Sequence, residues 1–195
     1  MKGKKLNRDF FAQPTLQVAR KLLGKYLVLK QNGIKLSGKI VETEAYVGKG
    51  DPASHAFGKV TPRNQIMYGP PGYTYIYFIY GNYYCLNFVT EKAGFPAAVL
   101  IRALEPREGI KTMHKNRDSL DLKNLTNGPG KLCQAFGIDR SFNTCDLTAN
   151  FLFVEDRGEK VDNIGNSERI GIYRGIDRKW RFFILNNNFV SKIRS

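Results

Sequence analysis

The stretch that most restricts the fold is residues 73–89, Tyr-Thr-Tyr-Ile-Tyr-Phe-Ile-Tyr-Gly-Asn-Tyr-Tyr-Cys-Leu-Asn-Phe-Val. Aromatic and β-branched side chains fit a pleated surface, and they fill both halves of this segment. Between the halves stands Gly81-Asn82, and glycine at the first central position is what a type II′ turn requires. The segment therefore reads as a β-hairpin with Tyr80 and Tyr83 at its tip. Most tyrosines in such a ribbon pack in the core and send their hydroxyls outward. Tyr80, at the turn, has little core to enter. Tyr77 stands on the opposite face of a regular strand, so the two rings have different tasks.

The flanking text supplies the rest of a sheet. Tyr26–Lys30 and Ile34–Val41 enclose Asn32-Gly33, a two-residue hairpin signal, and the second strand runs on through Glu42-Thr-Glu-Ala-Tyr46. Ala97–Ala103 reads as another strand, with Ile170–Tyr173 and Phe182–Leu185 as closing strands. Helices are expected from Pro14 to Leu23, stopped by Gly24, from Pro106 to Arg117, and from Pro129 to Phe136, stopped by Gly137. Residues 48–72 hold nine glycines and prolines, and so long a turn-rich stretch inside a domain is functional or mobile. No repeat, low-complexity block or linker interrupts the chain. The fold class is α+β: a single compact domain over residues 1–195, with a mixed, mostly antiparallel curved sheet, surrounding helices and a protruding hairpin. Residues 1–12 are expected to form a flexible basic N-terminus.

At 195 residues the chain can bury a core without disulfides or metals. Its charge is the unusual quantity: 31 Lys and Arg against 17 Asp and Glu, a net +14. Neutralising phosphates releases counterions, so such an excess favours a polyanionic partner. By itself it leaves nucleic acid, an anionic membrane surface and plain solubility open. The skew is strongest in residues 1–50, with 11 Lys and Arg against Asp9, Glu42 and Glu44. Cys85, Cys133 and Cys145 are odd in number and scattered, and only His55 and His114 could add imidazole ligands. No metal site is expected, and the thiols read as reduced. Lysines at 2, 4 and 5 are followed by Asn7, Arg8 and Asp9 rather than a long apolar run, so neither a signal peptide nor a membrane span is expected.

A few residues carry possible chemistry. Glu42 and Glu44 share strand parity and can face one side. Glu44 stands where the strand hands over to the glycine-rich loop. Hydrolysis of an N-glycosidic bond needs a carboxylate that orients and deprotonates water and stabilises positive charge growing on a sugar; a solvated strand-end glutamate is the plainer reading. Arg102 interrupts the apolar run Val99-Leu-Ile-Arg-Ala-Leu104, and a charge there needs a partner such as Glu44. Its plainer reading is the outer face of an edge strand. His55 and Asn87 are individually weak, although a pocket for an extruded base uses ring faces to sandwich it and polar atoms to read its edge. An exposed aromatic such as Tyr80, beside a basic surface, can fill the gap such a base leaves. These residues permit a nucleic-acid enzyme without requiring one.

In order along the chain, Val41-Glu-Thr-Glu-Ala-Tyr46, His55, Thr61-Pro-Arg-Asn64, Tyr77-Phe-Ile-Tyr-Gly-Asn-Tyr-Tyr-Cys-Leu-Asn87, Leu100-Ile-Arg-Ala-Leu-Glu-Pro106 and Gly128-Pro-Gly-Lys-Leu-Cys133 resemble the alkyladenine DNA glycosylase family, also called methylpurine or 3-methyladenine DNA glycosylases of the eukaryotic type. The likeness runs from about residue 13 to about residue 185, with segment 140–166 departing as a variable loop region. The resemblance implies a mixed α/β domain without metal or organic cofactor, acting on double-stranded DNA that contains damaged purines. Glu44 matches the general base, Arg102 a residue that helps hold the attacking water, and the backbone at Ile170 a further water contact. Tyr80 matches the intercalating wedge, with Asn82 beside it. Tyr46, His55 and Tyr77 match the walls that stack on the base, and Asn87 the side chain that discriminates purines. Arg63 and Lys131 are the implied contacts to the DNA backbone. Asn82 replaces a methionine found in vertebrate members, a departure that bears on groove distortion. The chain also lacks the long N-terminal extension of eukaryotic members, so the expectation is a bacterial cytoplasmic protein at the nucleoid, nuclear only if the source is eukaryotic.

The expected enzyme is a monomer and monofunctional, with water as nucleophile and an abasic site as product. A bifunctional glycosylase/lyase would need a lysine such as Lys131 desolvated in the pocket to form a Schiff base. A non-catalytic binder of single-stranded nucleic acid would use the tyrosines for stacking but gives Glu44 no task. A membrane-surface protein would need a basic amphipathic helix of useful length, and none is apparent.

Overall fold

The computed structural model describes residues 3–191, and one long strand organises them. Ile34–Val47, here β3, runs for 14 residues. Its first half pairs with β2 (Tyr26–Gln31) across Asn32-Gly33, both of which take the left-handed backbone of a type I′ turn. Along the other edge lies β6 (Ala97–Glu108). Where β2 ends, β9 (Arg181–Ile184) takes over the vacated edge beside Glu42–Glu44. β5 (Tyr83–Val89) and β4 (Thr74–Ile79) extend the sheet beyond β6, β7 (Leu152–Asp156) and β1 (Lys4–Lys5) extend it beyond β2, and β8 (Ile164–Ser167) flanks β9. The result is an α+β domain on an open, antiparallel, nine-stranded sheet.

The β3–β6 ladder slips twice within three residues. Between the pairs Ile40–Leu104 and Glu42–Ala103 it skips Val41, and before Thr43–Ile101 it skips Arg102. Such paired bulges keep the overall register while re-aiming the side chains around them. Glu42, Glu44 and Arg102 converge at this irregularity.

Helices cover the sheet. α2 (Thr15–Leu22) buries Val18, Ala19 and Leu22 against β3 and β6. It begins one residue after Pro14, and the Glu91 carboxylate caps it, accepting from the Thr15 N–H at 2.7 Å and hydroxyl at 2.8 Å. α4 (Pro129–Phe136) packs on β5 and β6, and Gly137 ends it in the left-handed conformation. Leu22, Ile40, Leu86, Phe88, Ile101, Leu132 and Phe136 belong to one continuous core. No helix among the described residues is long and apolar enough to cross a membrane.

Several local expectations change. Pro106 does not begin a helix. Its fixed φ suits the strand, which continues to Glu108, and Gly109 at φ +75° makes the reversal into α3 (Ile110–Arg117). Ile170–Tyr173 is a loop rather than a strand, because the Ile170 N–H goes to a side chain and Gly171 takes φ +74°. β8 supplies the closing strand instead, and β7 lies within the stretch expected to be a variable loop. The 73–89 hairpin forms, but its turn centres on Tyr80-Gly81, at φ +53° and +73°, rather than Gly81-Asn82. At the N-terminus, β1 pairs with β7, and α1 (Arg8–Phe11) buries Phe11, which ties residues 4–11 into the domain.

Candidate active site

Beyond β5 and β6 a cavity of about 700 Å³ opens to solvent, a size ordinary for small-molecule sites. Its floor contains Tyr46, Arg102 and Ile170, and Glu44 lies immediately beneath them with no exposed surface. The Ile170 N–H donates to Glu44 Oε1 at 2.8 Å, Arg102 Nη1 stands 3.2 Å from the same oxygen, and the Tyr46 hydroxyl donates to Oε2 at 2.7 Å. Burial and then the Glu44 charge hold the Tyr46 hydroxyl well above its ordinary pKa, so it remains a donor.

A second carboxylate completes this network. Glu42 Oε1 accepts from Arg102 Nε at 3.0 Å, Arg181 Nε at 2.7 Å and Ser191 Oγ at 2.8 Å, and Oε2 accepts from the Ser191 N–H at 2.7 Å. Two buried carboxylates therefore face two buried guanidiniums. Burial opposes the Arg102 charge, but Glu44 and then Glu42 more than offset it, and its pKa is raised. Removing one member of such a set would leave a buried charge uncompensated.

The cavity wall is aromatic. The His55 and Tyr77 rings meet edge-on at 4.6 Å between centroids, and His55 Nδ1 is 2.9 Å from the Tyr75 hydroxyl. Loss of hydration, and then Arg63, push His55 down to a pKa of about 4, so its ring is neutral at physiological pH. The loop bearing His55 is pinned by Asn64, whose amide donates to the carbonyls of His55 at 2.7 Å and Lys59 at 3.0 Å. Asn87 donates from Nδ2 to the carbonyls of Tyr75 at 3.0 Å and Cys85 at 3.3 Å. Both partners are acceptors, which identifies the nitrogen and leaves Oδ1 as the end available to a ligand. Burial pushes the neighbouring Cys85 thiol up to about 11, and the group stays neutral.

The rim is exposed and cationic. Tyr80 keeps 76% of its surface and Tyr173 95%, and both border the cavity with Arg174 and Lys131. Lys131, in the first turn of α4, donates to Asn127 at 2.8 Å and Asn124 at 3.0 Å. Asn82 is exposed at the hairpin tip. The Arg63 guanidinium lies 5.4 Å from the centre of the Tyr77 ring, against the aromatic wall.

The structure thus brings Glu44, Arg102, Ile170 and Tyr46 together at the floor, His55, Tyr77 and Asn87 in the wall, and Tyr80 and Lys131 at the rim. Sequence reasoning missed Arg181, Ser191, Asp51, Arg169 and Tyr173. Arg181 carries the same signal as Arg102, a charge within the apolar run Trp180-Arg-Phe-Phe-Ile184. Among the described residues no group of three or more His, Cys, Asp or Glu side chains is placed to hold a metal ion.

A sealed carboxylate beneath an aromatic-walled cavity is an arrangement that hydrolytic chemistry can use. The chain belongs to the methylpurine-DNA glycosylase family, whose pattern matches residues 9–188. Relatives carrying the name "Putative 3-methyladenine DNA glycosylase" are similar over nearly their whole length. One from Clostridium acetobutylicum is 46% identical over 97% of this chain and 98% of its own. Others are 48% identical over 96% and 99% in Alkaliphilus oremlandii, and 50% over 95% and 90% in Prosthecochloris aestuarii. The protein is a DNA glycosylase.

Proposed function

We propose that the enzyme extrudes alkylated purines, and also deaminated ones, from duplex DNA and hydrolyses the N-glycosidic bond with water, leaving an abasic site. The observation that carries this reading is the sealed Glu44 carboxylate beneath a pocket walled by aromatic rings. Glu44 accepts the water's proton and stabilises positive charge growing on the sugar. Its Oε1 is occupied by Ile170 and Arg102, whereas Oε2 accepts one bond and keeps a second lone pair. Because Glu44 has no surface in the free protein, entry of the nucleotide must part the floor enough to admit one water. Arg102 holds that water together with the backbone at Ile170.

Selectivity follows from charge. Alkylation at a ring nitrogen makes the purine cationic, a better leaving group and a better partner for electron-rich ring faces. Tyr46 and Tyr77 offer such faces, and a neutral His55 adds no repulsion. Asn87 Oδ1 tests the purine edge. Tyr80 fills the gap in the duplex, and Asn82, Arg63 and Lys131 contact the surrounding DNA.

The test is single-turnover incubation with duplexes carrying a methylated purine, hypoxanthine or unmodified adenine, with and without alkali. Lesion-dependent strand breaks that appear only after alkali are expected. Breaks without alkali, or borohydride trapping of the protein on DNA, would establish the lyase. Binding with no base release would leave a stacking protein.

A further inference from the structure

Asp51 and Arg169 form a bidentate ion pair, Nη1 to Oδ2 at 2.6 Å and Nη2 to Oδ1 at 2.7 Å, and neither side chain is exposed at all. The fork binds more than the carboxylate. Arg169 Nη1 also donates to the Ala45 carbonyl at 2.9 Å, between Glu44 and Tyr46 in β3, and Nη2 to the Gly175 carbonyl at 3.3 Å. The guanidinium lies 4.6 Å from the centre of the Tyr46 ring and 5.2 Å from that of Trp180. Asp51 in turn accepts from the N–H groups of Val47 at 3.3 Å and Ala53 at 3.2 Å. One ion pair therefore ties together the end of β3, the turn-rich loop that carries His55 and the loop after β8.

The residue after Arg169 is Ile170, whose N–H meets Glu44 Oε1. The residue after Ala45 is Tyr46, whose hydroxyl meets Oε2. Ile170 and Tyr46, the two residues of these segments that donate to Glu44, are thus chain neighbours of Arg169 itself and of the Ala45 carbonyl that it holds. Arg169 Nε is buried with no partner among the described residues. An orphaned donor of this kind is uncommon in a settled interior and accords with a guanidinium placed for geometry.

From these contacts we infer that the Arg169–Asp51 pair is a positioning device for the hydrolytic step. It sets the two donors that aim the Glu44 carboxylate, without itself touching substrate. The inference rests on the reading of Glu44 as the base. Arg102 is held separately by Glu42, so loss of the clamp would leave the guanidinium contact to Glu44 while releasing the other two. A planar fork makes these bonds together, and the ammonium of lysine cannot reproduce them.

Arg169→Lys and Asp51→Asn test this, each measured for single-turnover release of a methylated purine, for Kd on a duplex carrying a tetrahydrofuran abasic-site analogue, and for amide hydrogen exchange at Ile170. Misplacement of a reacting group costs about 100-fold in rate, so each variant is expected to lose about that factor at saturating enzyme. Kd should stay within about threefold, as it does when an interaction acts only on the chemical step. The Ile170 amide should exchange faster while amides of the β5–β6 core keep their protection. A rate within about threefold of wild type, a Kd weakened as much as the rate, or an unchanged Ile170 amide would each overturn the inference. If the core amides lose protection in one variant, the other decides. Should wild type release no base at all, the functional reading fails, and the Ile170 exchange result still decides whether the clamp sets that donor.

Discussion

The floor of the cavity and its rim are built on opposite principles. At the floor, Glu42, Glu44, Arg102 and Arg181 are fully or almost fully buried, and each is paired. At the rim, Tyr80 and Tyr173 stand in solvent, and Tyr80 takes a backbone conformation at φ +53° that a bulky residue rarely adopts. The floor gains stability only while every charge keeps its partner. The rim spends stability on presentation. The floor is a closed network of paired charges, whereas the rim presents Tyr80 and Tyr173 to solvent.

The sharpest way to break the contrast is Glu42→Ala. It strips Arg181 and Arg102 of their shared carboxylate, and deleting one partner of a buried charge network costs about 3–5 kcal/mol. Urea denaturation should show that loss; a change below about 1 kcal/mol would place Glu42 among weak, screened pairs. At the rim the sign should reverse. Tyr80→Gly relieves the left-handed conformation and should leave stability unchanged or raised by about 1 kcal/mol. It should also weaken binding to lesion-bearing duplex by about 1–3 kcal/mol, the usual worth of one base–aromatic stack. Unfolding and affinity titrations on the same preparation would separate the two effects.

A third effect lies between the two regions, at His55, and it appears only on acidification. The unfolded chain binds a proton there near pH 6.5, whereas the folded ring, at about 4, does not. Stability should therefore decline as pH falls from about 6.5 to about 4 and flatten below that. Above that window His55 contributes nothing to the pH dependence of folding. Urea midpoints of wild type and His55→Gln across the window check this, with a shallower slope expected in the variant.

The two regions also differed in how far the sequence disclosed them. Arg102 in an apolar run points to a buried partner, and the structure supplies two, Glu42 and Glu44. The strand parity of the glutamates likewise holds. What parity could not give was the pair of bulges at Val41 and Arg102, since a skipped residue leaves no mark on hydrophobic alternation. Asp51 and Arg169, 118 residues apart, both lie in turn-rich text without periodicity, so no local pattern joins them. At the rim, the aromatic ribbon announced a hairpin, yet the turn moved by one residue onto Tyr80. A turn signal in Gly81-Asn82 favours glycine at a positive φ without fixing which neighbour shares it. Pro106 was misleading for a related reason, because proline fits the first turn of a helix and an extended strand with the same φ.

The most direct test of Glu44 as the base compares wild type with Glu44→Gln in single-turnover release of a methylated purine from duplex DNA. Glutamine keeps the size and one acceptor oxygen, replaces the other with an NH2 donor, and cannot accept the water's proton. The expected rate is lower by about 10²–10⁴-fold, the usual worth of a positioned general base, with affinity for the duplex retained. Release by Glu44→Gln within about tenfold of wild type, below what general-base loss costs, would exclude Glu44 as the base and move the chemistry to another group.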